Sequence, residues 1–247
     1  MKCLFIVLTS LFAISVHGQS ALEIVQKADE KMRGSTSQGE LIIRTVRPGW
    51  TRETTVRTWI KGTDMALILV LAPAKDKGIV FLKRKKEVWN WMPSLERTIK
   101  LPPSMMSQSW MGTDFTNDDL VKESSIVHDY THSIIGDTVV SGRSSYIVQM
   151  IPKPEAAVVW GKLIVTIDKK DLLELHTRFY DEDGTLVNTM NGYDVKLMDG
   201  RLIPTRFEMI PADKPNQKTI MIYKNIRYNQ PIDNALFTTQ RMQTIGN

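Results

Sequence analysis

Cysteine is all but absent from this 247-residue sequence: the one present, Cys3, lies in an apolar N-terminal stretch. If that stretch is removed on export, what is left can form no disulfide and no thiolate metal site. Histidine is scarce as well, with four in the chain. His17 falls in the same stretch, leaving His128, His132 and His176. A G-x-S-x-G elbow, a phosphate-binding P-loop and an H-E-x-x-H pair are all missing, which removes the common hydrolase, nucleotide and zinc-protease signatures. No apolar run reaches the roughly 18–20 residues of a membrane-spanning helix. There is no internal repeat and no low-complexity tract.

What is present begins with an export signal. Lys2 supplies the positive start, Cys3 to Val16 is almost wholly apolar, and Val16-His17-Gly18 offers small residues before a cut. The expected division is residues 1–18 as signal peptide and 19–247 as one mature domain beginning at Gln19, with a retained anchor as the alternative. Cys3 comes too early to follow an apolar run, so lipid attachment there is not expected. The apolar share is 42% and the charged share 24%, enough for a sizeable core and typical of a soluble chain. The formal net charge of +5 favours anionic surfaces. For an exported protein without a dense basic helix, nucleic acid is not an expected partner.

Ser20 to Arg33 is predicted to be a helix. Ser20 caps it with Glu23 at capping-box spacing, Ala21, Val25, Ala28 and Met32 form an apolar stripe, and Gly34 ends it. Most of the rest reads as strand. Leu41–Val46 and Thr54–Lys61 alternate, and Met65–Ala72 is a short apolar run closed by Pro73. Ile79–Leu82 and Val88–Met92 flank the basic turn Lys83-Arg84-Lys85-Lys86 as a hairpin. That turn is either a plain solvated turn or a weak contact for anionic lipid headgroups. Ser145–Ile151, Val158–Ile167, Leu172–Tyr180, Thr185–Tyr193, Arg201–Ile210 and Lys218–Tyr228 continue the series. About ten or eleven strands joined by short turns predict a mainly β antiparallel meander. A sheet of that size tends to curl, so a half-open barrel is the expected shape.

Leu101 to Glu123 interrupts the pattern. Pro102-Pro103 stops the preceding strand, and Ser104–Trp110 and Asp114–Val121 could each form a helical turn. Met105, Met106 and Met111 lie there beside Trp110 and Phe115. Three readings stand for these thioethers: core filling, a deformable lid over an apolar cavity, and Cu(I) ligation. His128 and His132 would need a third ligand to hold zinc and read as exposed. Asp118-Asp119 and Asp181-Glu182-Asp183 read as cap and turn residues, with calcium at Asp181–Gly184 lacking ligands at longer spacing. Trp59, Trp89 and Trp91 lie on strands, as core residues or as pocket walls. No metal or other cofactor is expected.

Trp89-Asn90-Trp91-Met92-Pro93, followed by Arg97 and Lys100, and then Met111-Gly112-Thr113-Asp114-Phe115-Thr116-Asn117-Asp118-Asp119-Leu120, resembles the outer-membrane lipoprotein-sorting proteins of the LolA-like superfamily. Asn234-Ala235-Leu236-Phe237 is similar to that family's ending, and the order of signal peptide, helix and strands agrees. The resemblance implies an incomplete barrel covered by helices and a non-catalytic periplasmic carrier of lipid or lipoprotein acyl chains. The partners it implies are an inner-membrane transporter and an outer-membrane acceptor, and a monomer is expected. The alternative is an accessory subunit of an envelope transporter that binds protein instead. The expected cavity and lid residues are Trp59, Leu67, Leu69, Phe81, Trp89, Trp91, Met92, Met105, Met106, Trp110, Met111 and Phe115. Arg44, Arg57 and Lys61 are the candidates for a strand-borne basic group bonded to the lid.

Overall fold

The computed structural model describes residues 19–121 and 125–246; the expected signal peptide and its cleavage point lie outside them. Helix α1 (Ala21–Arg33) is followed by strands β1 (Thr36–Arg47), β2 (Trp50–Lys61), β3 (Met65–Ala72), β4 (Val80–Arg84), β5 (Glu87–Met92) and β6 (Arg97–Lys100). Two short helices follow, α2 (Asn117–Val121) and α3 (Ser125–His128). The strands then resume with β7 (Tyr130–Val140), β8 (Arg143–Pro152), β9 (Lys162–Asp168), β10 (Glu174–Tyr180), β11 (Leu186–Met198), β12 (Arg201–Pro211) and β13 (Lys218–Tyr228). A last helix, α4 (Thr239–Gly246), ends the described chain.

All thirteen strands form one antiparallel sheet in the order β6-β5-β4-β3-β2-β1-β13-β12-β11-β10-β9-β8-β7. The sheet curves without closing, as the sequence predicts, but it has thirteen strands instead of ten or eleven. The additions are β6 and β7, the two free edges. From β1 the chain meanders outward to one edge, crosses to the other edge between β6 and β7, and meanders back until β13 pairs with β1. Gly39 sits at that seam, where a Cβ would lie 2.3 Å from the Asn225 carbonyl oxygen, so only glycine permits the approach. The crossing segment, described at residues 101–121 and 125–129, lies over the open side of the half-barrel, between its two edge strands.

Each strand shows alternate residues to opposite faces; the concave face is covered from both halves of the sheet, and the convex face over β3 to β5. On the concave face, buried residues from both halves of the sheet share one cluster with α1 and the crossing segment. They include Ile43, Val56, Ile68, Val148, Leu163 and Met209. The α1 helix starts at the expected capping box, with Glu23 N donating to Ser20 Oγ (3.2 Å) and Ser20 N to Glu23 Oε2 (3.1 Å). It buries Ala21, Ile24, Val25 and Ala28. Its last carbonyls, Glu30 O and Lys31 O, accept from Arg201 (2.8 and 3.0 Å), whose guanidinium stacks 4.4 Å from the Tyr228 ring. That cation at the helix C-terminus satisfies carbonyls the helix leaves open.

On the convex face a second cluster joins Leu67, Leu69, Val80, Leu82 and Trp91 to Phe237 and Met242. Phe237, from the ending motif, is fully buried there, and α4 covers β3 to β5. We expect Phe237→Ala to cost about 3–5 kcal/mol of stability by loss of burial and the cavity left behind. Urea unfolding would measure this; a loss below about 1 kcal/mol would mean the convex cluster does not hold the C-terminal segment as described.

Candidate functional site

A cavity of about 200 Å³ lies between the concave face of the sheet, α1 and the crossing segment. Its walls are mainly apolar: Met32 of α1, Ile43 and Val56 of β1 and β2, Ala66 and Ile68 of β3, Leu163 and Val165 of β9, Phe179 of β10, and Met209 and Met221 of β12 and β13. Phe115 closes it from the crossing segment, which serves as a lid. An apolar cavity of roughly 150 Å³ can stay dry and hold a benzene-sized guest. The hollow seen here therefore accepts a short hydrocarbon segment, but it is below the ~300–1,000 Å³ of pockets that enclose drug-sized ligands.

The lid folds as a tight hairpin. Ser109 bridges Thr116, and Trp110 N donates to Phe115 O (2.8 Å) around a turn in which Met111 and Gly112 take φ of 50° and 77°. Trp110 is fully buried with its ring 5.5 Å from Phe81. On one side the lid is fastened to the β1–β2 hairpin. Arg47 donates to both carboxylate oxygens of Asp114 (2.9 and 3.0 Å) and to Gly112 O (3.2 Å), while Arg52 donates to Met111 O. Asp114 also accepts from Thr219 Oγ1 (2.7 Å), and its carbonyl accepts from Asn188 (3.3 Å). On the other side α2 begins with a reciprocal cap. Thr116 N donates to Asp119 Oδ2 (2.8 Å) and Asp119 N to Thr116 Oγ1 (3.1 Å). Asp119 Oδ1 accepts from Trp160 Nε1 (2.8 Å), and Tyr130 donates to Trp160 O (3.3 Å).

Polar groups interrupt the apolar wall at a few points. Burial pushes the Asp119 carboxyl up despite the bonds it accepts from Trp160 and Thr116. Burial likewise raises Glu174, whose Oε1 accepts from Thr177 (2.5 Å). Both carboxyls face the cavity. Burial, reinforced by the carboxylates of Asp118, Asp119 and Asp129, keeps the Tyr130 hydroxyl protonated far above its ordinary range. These groups are held by hydrogen bonds to neighbouring side chains and backbone, an arrangement suited to structure and to orienting a ligand.

The twelve residues expected to line cavity and lid divide between the two faces. Phe115 lines the cavity. Phe81, Met106 and Trp110 are buried in the same concave cluster one layer back, and Met111 packs against it. Leu67, Leu69 and Trp91 belong to the convex cluster instead, with Trp59 and Trp89 packed against it under the C-terminal segment. Strand alternation is the reason: Ala66 and Ile68 take the concave side of β3, so Leu67 and Leu69 cannot. Met92 and Met105 are half-buried and stand outside the cavity wall. The basic groups on the lid are Arg47 and Arg52, in place of the three expected. Arg44 pairs with Glu53 (2.6 Å), Arg57 with Glu40 (2.6 Å), and Lys61 reaches Ile232 O (3.0 Å) and Asn234 (2.6 Å). Position relative to the β1–β2 turn is the signal that separates them: Arg47 and Arg52 flank Pro48-Gly49 at the rim the lid crosses.

His132, expected to be exposed, is half-buried and donates to Ile126 O (2.7 Å), and burial lowers its affinity for a proton. His176 bonds Asn191 Oδ1 (2.8 Å). Among the described residues no group of three His, Cys, Asp or Glu side chains could hold a metal ion.

A family model described as "Uncharacterized protein" matches residues 62–244. No curated protein matches the sequence. Among solved structures, the chain is similar to a DUF1329 family protein from Desulfovibrio piger (TM-score 0.82, 20% identity, covering 90% of this chain and 97% of that one). It is similar to a LolA superfamily protein from Nitrosomonas europaea (TM-score 0.79, 21% identity, 90% and 99% covered). It also resembles a domain named for outer-membrane lipoprotein sorting from Vibrio parahaemolyticus (TM-score 0.80, 18% identity, 90% and 98% covered). Identities this low establish the shared fold.

Two predictions follow from the site's bonds. Arg47→Ala should leave Asp114 with a buried charge deprived of its main partner, a change that costs about 3–5 kcal/mol where it is fully buried. Hydrogen exchange of residues 110–116 should then quicken while that of β1 and β13 stays slow; unchanged lid exchange would contradict the latch. The second concerns pH. Glu174 and Asp119 hold protons more tightly folded than unfolded, so their stabilising effect is complete below the ordinary values of 4.5 and 3.8 and declines as pH rises above them. Glu174→Gln should flatten the fall of the thermal midpoint above pH 4.5. A variant with the parent's slope would remove burial as the cause.

Proposed function

The chain belongs to the family whose model spans residues 62–244 and has the LolA-like fold, and from this we propose that it is a non-catalytic periplasmic carrier of lipid or lipoprotein acyl chains. The observation that carries the proposal is the mainly apolar cavity under a segment fastened by Arg47, Arg52 and Asp114. A hydrocarbon tail enters that hollow, and the lid hairpin lifts to make room for its full length. Ten buried methylenes are worth roughly 8 kcal/mol gross. Ordering the chain and lifting the lid consume much of this, which leaves an affinity that permits release to an acceptor. The donor would be an inner-membrane transporter and the recipient an outer-membrane protein.

A protein-binding accessory subunit is the second reading. It is favoured by edge strand β7, where Ile135 and Val139 are 51% and 67% exposed beside an unpaired backbone edge.

The two readings separate on one substitution. Ala66 lies in the cavity wall and is small, so Ala66→Phe fills the hollow with little call on other packing. We expect it to weaken binding of a fluorescent fatty-acid analogue at least about tenfold, since each methylene denied burial removes about 0.8 kcal/mol. Circular dichroism should be unaltered. Binding as tight as in the parent would place the hydrocarbon elsewhere and shift weight to the protein-binding reading.

A further inference from the structure

The basic turn Lys83-Arg84-Lys85-Lys86 joins the site through a second hollow. An open groove of about 1000 Å³ is lined by Lys83 and Arg84 at the end of β4, by Lys85 and Lys86 of the β4–β5 turn, by Thr63 and Asp64 of the β2–β3 turn, and by His128 and Asp129 on the opposite side. Thr63 and Lys83 line the apolar cavity as well. The two hollows thus share a wall at one end of the half-barrel, and the cavity residues Ile126 and Tyr130 bracket the groove residues His128 and Asp129. Lys83 is 5% exposed, and its ammonium is fixed at the seam by donation to Thr63 O (2.6 Å). Arg84, Lys85 and Lys86 are exposed.

Among the described lining residues charge is mixed, with four cations to three carboxylates. Facing the four basic residues are the carboxylates of Asp64, Glu87 and Asp129, and Glu87 is bonded by Lys100 from β6. A polar, basic anteroom opening past a fixed lysine onto an apolar chamber matches one shape of ligand: an amphiphile with an anionic head and a hydrocarbon tail. We infer that the groove seats the anionic headgroup of a phospholipid-like amphiphile whose tail passes Thr63 and Lys83 into the cavity. The inference rests on the carrier reading and adds the class of ligand and the direction of entry. Arg84, Lys85 and Lys86 hold the phosphate at the rim, while apolar burial draws in the tail. Cargo choice then depends on the rim, and gross affinity on the chamber.

The test is calorimetric titration of the mature chain with three monomeric single-chain lipids of equal chain length: lysophosphatidylglycerol, zwitterionic lysophosphatidylcholine and an uncharged monoacylglycerol. We expect the anionic lipid to bind at least about tenfold more tightly than the other two, since each basic residue near an anionic group contributes to attraction. The triple variant R84E/K85E/K86E should lose that preference and keep its binding of monoacylglycerol. Added salt should shrink the preference in the parent protein, a measurement that needs no variant. Millimolar inorganic phosphate should not displace the lipid; displacement would make the groove a free-anion site and overturn the assignment. Equal binding of the three lipids, or a preference that survives the triple reversal, would overturn it too. Those outcomes leave the carrier reading standing, because monoacylglycerol still binds. Failure of all three lipids to bind removes the carrier reading and this inference together.

Discussion

A thirteen-stranded sheet that bends on itself and stops short of closing leaves an apolar concave face that water would otherwise wet. Two parts of the molecule answer that exposure. The α1 helix lays Ala21, Ile24, Val25 and Ala28 against it, and the segment between β6 and β7 covers the rest. This segment has no freedom to go elsewhere, since its ends are the two rims of the opening. The geometry that makes the barrel incomplete therefore also makes the lid.

A lid that is only packed would be one more layer of core. Here it is also tied, at Asp114 to Arg47, Thr219 and Asn188 and at Asp119 to Trp160. Hydrogen bonds to charged groups each contribute about 1.5–3 kcal/mol, and they break discretely where apolar packing yields gradually. The result is a cover with a defined shut position beneath which a hollow of about 200 Å³ persists. Core packing normally leaves few voids larger than a water molecule, so this partly open hollow stands apart from the packed layers around it.

The main architecture was legible in the sequence because alternation, turn residues and the Ser20–Glu23 cap are local signals. The strands outside the expected series, β6 and β7, are the edges. An edge strand buries little, and β7 has only Tyr130 fully buried along its length, so its sequence lacks the apolar alternation that reveals inner strands. The site was legible in part. Met106, Trp110 and Phe115 do pack from this segment into the concave cluster, since an irregular stretch rich in large apolar residues must cover something. The choice of sheet face was not legible. Leu67 and Ala66 are equally apolar neighbours, and only the tertiary structure tells which meets α4 and which meets the cavity. The tryptophans misled for a related reason: Trp89 and Trp91 share a face, and that face is the one Phe237 seals.

The central claim is that the space under the lid is occupied by hydrocarbon when the protein is at work. Native mass spectrometry of the protein, released gently from the cells that make it, tests this most directly. The account predicts a fraction of the protein carrying one discrete extra mass of lipid size, lost when the complex is heated or extracted with organic solvent. Protein that emerges bare through repeated mild extraction would contradict it.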